Sequence, residues 1–406
     1  MWYFHRFYDH QPDLNTFHPA VRHEITKIMG YWLELGVSGF RMDAVPFIVA
    51  RKGAAVPKER DFGLLDHLRQ FLQWRCGDAV MLAEANVPPD EGLAYFGDEG
   101  DRLQLMLNFP VNQRLFYALA SEDIGPLTWA LQQTAKKPAA AQWVHFLRSH
   151  DELDLGRLSL EQRATVFAAF APDQSMQLYD RGIRRRLAPM LKNDRRRLEL
   201  AFSLLFSLPG TPMMQYGDEI GMGDDLTMDE RECVRTPMQW TNEPHAGFSR
   251  AERTVRPVID DVTYGYEKVN VSQQRREPES LLNWTERRIR HAQGVSGARM
   301  GRLLGAAGQR PRGTGDPLRL PRSLHADPPQ LFEPSADRGR RSQVGQQRAP
   351  SGRLRREPQP VRERYPRARA RPVRPPLVPH RCPGQRAQPH VVLTCGPSSA
   401  RWSSAH

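Results

Sequence analysis

Short, wholly apolar segments alternate with helical patterns along the first 290 residues, and three of these segments run straight into a carboxylate. A strand that is apolar on both faces must be covered on both faces, so repeated strand–helix alternation implies a parallel sheet clothed by helices. Five such strands can be read: Val37 to Met42, Ala79 to Ala83, Leu103 to Phe109, Trp143 to Leu147 and Met213 to Tyr216. Helices are predicted from Pro19 to Gly36, across Leu64 to Leu72, from about Val111 to Ala120, after the cap Asp194, and across Leu281 to Ile289. Chemistry at the C-terminal ends of several parallel strands is how a (β/α)8 barrel is used. The expected fold class is therefore α/β, a partial TIM barrel. Five strands leave two open edges, for which poor solubility is the expected consequence.

The stretch Gly39-Phe40-Arg41-Met42-Asp43-Ala44-Val45-Pro46 carries the first charged pair. Arg41 and Asp43, two apart, point to the same side of an extended strand. Leu33, Leu35, Val37 and Phe40 make the approach apolar, which places the pair at the end of a buried element. Alone, the octapeptide reads better as a structural Arg–Asp bridge. Glu84 and Asp151 change that reading, since parallel strands deliver all three carboxylates to one mouth. Two opposed carboxylates are what retaining glycoside cleavage needs, one attacking the sugar carbon and the other handling the proton. Arg41 is expected to hold Asp43 ionised, and the apolar run before Glu84 to raise its pKa.

Gly39-Phe40-Arg41-Met42-Asp43-Ala44, Ala83-Glu84-Ala85-Asn86 and Ser149-His150-Asp151-Glu152 resemble, in order, three motifs of the α-amylase family, glycoside hydrolase family 13. The resemblance implies that Asp43 is the nucleophile, Glu84 the general acid/base and Asp151 the third carboxylate, binding sugar at the cleavage subsite. It makes Arg41, His150, Asn86 and Arg235 substrate-binding. Gln11-Pro12-Asp13-Leu14-Asn15 and Arg235-Thr236-Pro237-Met238-Gln239-Trp240 are similar to segments of the oligo-1,6-glucosidase group. Gly182 to Pro189 and Tyr216 to Asp224 are similar to the branch that interconverts maltose and trehalose, so α-linked glucose disaccharides are the implied substrates. An α-glucosidase or oligo-1,6-glucosidase hydrolase, or an inactive chain, is the alternative. No cofactor is required by the resemblance. Calcium is bound in some of the group, but its site draws on segments not seen here, so no metal site is assigned.

The resemblance covers residues 1 to 290. It divides the chain into the end of an inserted B-domain loop at 1–18, a partial barrel at 19–290, and a tail at 291–406. The family's first motif and strands one to three have no counterpart before residue 1, so the sequence reads as truncated there. The tail holds 22 Arg and 6 acids, no Lys, and 17 of the 34 prolines, which accounts for the net charge of +12. The preceding 290 residues carry 36 basic and 40 acidic residues. The tail cannot build a packed core and is expected to be disordered; it resembles a GC-rich gene read in a shifted frame. Its arginines support a minor alternative, a nucleic-acid-binding arm, which its lack of Lys and of interleaved aromatics argues against.

Cys76 and Cys233 are too scattered for a disulfide framework, and Cys382 and Cys395 fall in the tail, so an intracellular, cytoplasmic protein is expected. No signal peptide or membrane-spanning run is seen. Oligomeric state is not legible. Cys76 is expected to be buried. Asp218-Glu219 reads as a loop or helix start, and His5, His10, His18 and His23 as loop residues. Arg184 to Arg186 and Arg195 to Arg197 are expected to be solvated or paired with acidic surface.

Overall fold

The computed structural model describes residues 3–50 and 60–308, with side chains as far as residue 294. Most of the tail, including Cys382 and Cys395, lies outside the described residues. The parallel strands are β1 (Gly39–Met42), β2 (Val80–Ala83), β3 (Leu105–Leu107), β4 (Gln142–Phe146) and, after three two-residue strands, β8 (Thr211–Met213). They pair in the order β1-β2-β3-β4-β8, every pair parallel. Among the described residues β1 and β8 each have one neighbour, so the sheet has two open edges. This is the expected α/β arrangement with five parallel strands.

Helices fill the crossovers: α1 (Pro19–Glu34), α2 (Val45–Ile48), α3 (Gly63–Arg75), α4 (Pro89–Phe96), α5 (Phe109–Ser121), α6 (Gly125–Thr134), α7 (Leu160–Phe170), α8 (Leu187–Met190), α9 (Arg195–Ser207), α10 (Val271–Arg276) and α11 (Leu281–Gly308). Pro19 opens α1, where a missing N–H costs nothing, and His18 Nδ1 accepts the Ala20 N–H at 3.2 Å. Asp194 caps α9 through the N–H groups of Arg196 and Arg197. A capping box between Ser159 and Gln162 opens α7.

Side chains alternate across the sheet. Met81, Ala83, Met106 and Trp143 pack against Leu64, Leu65, Leu68 and Leu72 of α3 and Tyr95 and Phe96 of α4. Leu82, Leu105, Leu107, Val144, Phe146 and Met213 form a second cluster on the face turned away from those helices. Phe40 and Met42 join the helix-side cluster, which by alternation puts Arg41 and Asp43 on the other face. Each fully buried Leu or Met contributes about 1.5–3 kcal/mol. A third cluster gathers α5, α7, α8 and α9 around Phe116, Phe170 and Phe202.

Several expectations are corrected. The fifth strand lies earlier than Met213 to Tyr216. Helices α4 and α6 and a small antiparallel sheet, β5 (Leu153–Asp154), β7 (Gly182–Ile183) and β6 (Gln177–Leu178), occupy stretches without a sequence signal. Leu35 is 61% exposed, so the approach to β1 is not fully buried. Cys76 is only half-buried: it packs against the rim of the helix-side cluster and its thiol donates to Asp78. For Arg184 to Arg186, expected to be solvated or paired with acidic surface, the acidic partners are there but buried, the completely buried Arg186 meeting Asp218 and Arg185 meeting Asp224.

Candidate active site

Beyond the last paired residues of β1 and β2, Met42 and Ala83, the chain continues into Asp43 and Glu84. The Glu84 N–H donates to Met42 O at 2.9 Å and the Val45 N–H to Glu84 O at 3.0 Å, so backbone register sets the two carboxyls side by side. Arg41, one position inside β1, spans both: Nη1 to Asp43 Oδ1 at 2.5 Å and Nη2 to Glu84 Oε2 at 2.6 Å. The positive φ of Ala44, 46°, turns the chain from strand into α2 directly after Asp43.

The two carboxyls are driven apart in acidity. Desolvation opposes charge on Asp43, but hydrogen bonds from Glu84 and Arg41, and the nearby charges of Arg41 and His150, hold it below the usual carboxylate value. Burial pushes Glu84 up to about 7, helped by its hydrogen bond to Asp43 and by the charges of Asp43 and Asp151, with Arg41 pulling the other way. One group is thus kept ionised and the other protonated near neutral pH, the pairing of roles that acid/base chemistry on two carboxyls requires. Asp43 is more open than its apolar approach suggested, its side chain 69% exposed against 27% for Glu84.

Asp151 lies past the end of β4 and is held from several directions. Its Oδ1 meets Arg235 Nη2 at 2.8 Å and Arg231 Nη1 at 3.2 Å, its Oδ2 lies 3.3 Å from His150 Nε2, and its backbone O accepts from buried Arg148 at 2.9 Å. Burial lowers the His150 pKa against the pull of Asp151. The charge of Asp151 reaches Glu84, and that of His150 reaches Asp43, so the three strand-end carboxylates share one electrostatic environment.

Arg235 and Asn86 are held within the protein. Arg235 also donates to His150 O at 2.8 Å and pairs with Glu232 at 3.1 Å. The Asn86 amide donates to Asp154 Oδ2 at 2.9 Å and accepts from Arg157 Nε at 2.8 Å. The sequence assigned no role to Arg231, Arg148 or Glu152: Arg231 and Glu152 meet each other from distant parts of the chain, and Arg148 joins nearby Asp151 O to distant Arg185 O. No group of three or more His, Cys, Asp or Glu among the described residues is arranged to hold a metal ion. No helix among them is long and apolar enough to cross a membrane.

A parallel, helix-clad sheet whose strand ends bring together a depressed and an elevated carboxyl defines a barrel-type catalytic domain with its chemistry at the C-terminal mouth. The comparisons narrow this class. Residues 1–294 match the α-amylase catalytic domain, and the chain belongs to that family. It is 45% identical over 292 residues to the trehalose synthase/amylase TreS of Mycolicibacterium smegmatis, covering 70% of this chain and 49% of that protein. It is 44% identical over 290 residues to the trehalose synthase of Thermus thermophilus, covering 70% and 30%. Thus the chain spans half or less of the length of these relatives. In fold it is similar to isomaltulose synthase from Erwinia rhapontici, with a TM-score of 0.51 at 17% identity over 71% of this chain and 56% of that one.

Proposed function

We propose that this chain acts on α-linked glucose disaccharides by a retaining mechanism and interconverts maltose and trehalose. The observation that carries the reading is the single guanidinium of Arg41 bridging Asp43 and Glu84, with Asp43 held low and Glu84 at about 7. The identity with two proteins named trehalose synthase supports the choice of substrates.

Asp43 attacks the anomeric carbon of the donor glucose while Glu84 gives its proton to the departing glycosidic oxygen. This leaves a glucosyl ester on Asp43 and free glucose. For isomerisation the freed glucose turns and presents its anomeric hydroxyl; Glu84 takes that proton as the oxygen attacks, and the ester bond to Asp43 breaks. Water in place of the glucose gives hydrolysis, the alternative α-glucosidase reading. Retaining enzymes hold the two carboxyls roughly 5 Å apart with the sugar between. Here they are in hydrogen-bond contact, so donor binding must part them. Asp151, with His150, binds the donor glucose, and Arg235 keeps both in place. Asn86 and Arg41 complete the carbohydrate-binding set. The chemistry requires no cofactor, and the free thiols of Cys76 and Cys233 support a cytoplasmic setting.

The test is formation of trehalose and glucose from maltose by the purified chain, with Asp43→Asn as control. Trehalose that vanishes in the control supports the reading. Glucose without trehalose favours the hydrolase, and a folded sample yielding neither product overturns both.

A further inference from the structure

Outside the three carboxylates, an unassigned cluster joins Tyr8, Tyr179, Glu230 and Arg231 to the catalytic centre. Arg231 is the hub. Besides reaching Asp151 Oδ1 at 3.2 Å, it sets Nε 2.6 Å from Glu152 Oε2 and donates from Nη2 to Glu152 Oε1 at 3.3 Å. The Glu152 side chain is only 5% exposed against 35% for Arg231, so the carboxylate end of this ion pair is shielded from water. Burial works against the charge of Arg231, but Glu152 and Asp151 more than offset it and raise its pKa.

The far side of the guanidinium is closed by an aromatic ring. Arg231 Cζ lies 5.6 Å from the centroid of Tyr179, within cation–π range. The Tyr179 hydroxyl is hydrogen-bonded to both Tyr8 and Glu230, and the Tyr8 hydroxyl donates to Glu230 Oε2 at 3.0 Å. A continuous chain of contacts thus runs from the segment before α1, through the loop between β6 and β7, to the third carboxylate.

The backbone is bent to allow it. Tyr179 has φ 55°, Asp180 φ 53° and Glu230 φ 43°, the left-handed region that costs a non-glycine residue about 1 kcal/mol or more. The turn at Glu230 sends adjacent side chains to different partners, Glu230 toward the tyrosines and Arg231 toward Asp151. Such strain persists where the surrounding contacts over-determine it.

We propose that Arg231 is a positioning residue for Asp151, and that Tyr8, Tyr179 and Glu230 form a clasp that holds Arg231 in register with it. The inference rests on the proposed glycosidic function and adds to it which residues fix the third carboxylate. Asp151 Oδ1 is occupied by Arg231 and Arg235, leaving Oδ2 beside His150 as the oxygen available to the donor sugar. Loosening Arg231 frees Asp151 to rotate. That damages the transition state more than the ground state, because orientation is lost while the rest of the donor subsite remains.

The experiment measures nitrophenol release from 4-nitrophenyl α-glucoside by the full chain and by Arg231→Gln, Arg231→Lys and Tyr179→Phe, with melting temperatures recorded alongside. Arg231→Gln is expected to lower kcat roughly 100-fold with KM within about threefold of wild type. Arg231→Lys, restoring the charge without the fork, should recover about tenfold of that loss. Tyr179→Phe keeps the ring and removes only hydrogen bonds, and should cost roughly two- to tenfold in kcat. If Arg231→Gln does not fold, Tyr179→Phe carries the test.

A purely structural Arg231 would lower the yield of folded protein without the split between kcat and KM and without recovery by Lys. Turnover in wild type with unchanged kcat in Arg231→Gln, or in Tyr179→Phe where only that variant folds, overturns this proposal alone. No nitrophenol release from folded wild type overturns the functional reading and this inference with it.

Discussion

Replacing Arg41 by Met removes the one charge among the described residues that bridges Asp43 and Glu84, while keeping an unbranched side chain on β1. The sign follows from the causes of each shift. Arg41 lowers the pKa of Asp43 and also that of Glu84, so its loss raises both. Two unit charges about 4 Å apart interact by about 1 kcal/mol in water and about 4 kcal/mol at an effective dielectric of 20. With its side chain 34% exposed, Arg41 is substantially screened. A change of about 1.4 kcal/mol, or tenfold in acidity, is the expected scale. Glu84 should move from about 7 to roughly 8, and Asp43 should move in the same direction. In the pH profile of kcat/KM the acid limb reports ionisation of Asp43 and the alkaline limb deprotonation of Glu84, so both limbs shift upward together. Titration of ¹³C-labelled Glu side chains reads the same shift without turnover. An alkaline limb that stays put or moves down would refute the assignment of Arg41 as the shared counter-charge.

Three further outcomes are expected. Glu84 has a folded pKa of about 7 against an ordinary 4.5, so the stability it contributes is present below pH 4.5 and lost as pH rises through 7. Glu84→Gln should therefore gain stability over wild type by up to about 3 kcal/mol more at pH 8 than at pH 4.5, measured by urea unfolding. Buried His145 has the opposite sense: its pKa is lowered to about 4 by desolvation, with only a backbone bond to Pro209 opposing. Its neutral form supports the fold above pH 6.5, and up to about 3 kcal/mol is lost as pH falls toward 4, a dependence that should disappear in His145→Gln urea midpoints. Gly39→Ala would drive a Cβ into the Val80 carbonyl oxygen, forcing β1 from β2. A destabilisation of about 1–3 kcal/mol, with loss of activity as Asp43 leaves Glu84, should appear in unfolding and rate measurements.

Arg41, Asp43 and Glu84 were legible because their relation is local: a spacing of two within one strand, and parallel register between two adjacent strands. Strand β8 was misplaced for an equally local reason. Pro212 reads as a strand breaker, yet it lies on an edge strand, where a missing N–H is tolerated. Helix α4 begins at Pro88-Pro89, which reads as loop, and declares itself only through the burial of Tyr95 and Phe96 against the sheet. The first arginine run, Arg184 to Arg186, misled most. Arg186 is written among other charges, and the partners that bury it, Asp218 and the carbonyl of Tyr216, lie 30 or more residues further on.

That long-range arginine chemistry explains how an exposed mouth can hold its third carboxylate. Asp43 and Glu84 inherit their places from a backbone ladder, but Asp151 lies several residues beyond β4, where no ladder pairing extends. Arg148, fully buried, donates to Asp151 O and to Arg185 O, tying the loop after β4 to the segment that follows β7. Arg185 and Arg186 in turn bind Asp224, and Arg186 binds Asp218, so that segment is tied to the loops after β8. Buried ion pairs of this kind add little net stability over apolar packing, but breaking one partner leaves a buried charge at a cost of about 3–5 kcal/mol. Their contribution here is geometric. They convert three irregular loops into a frame with few alternative arrangements, and Arg231 and Arg235 project from that frame onto Oδ1 of Asp151. The arrangement is thus built by two physical devices, strand register for Asp43 and Glu84 and a web of arginines for Asp151.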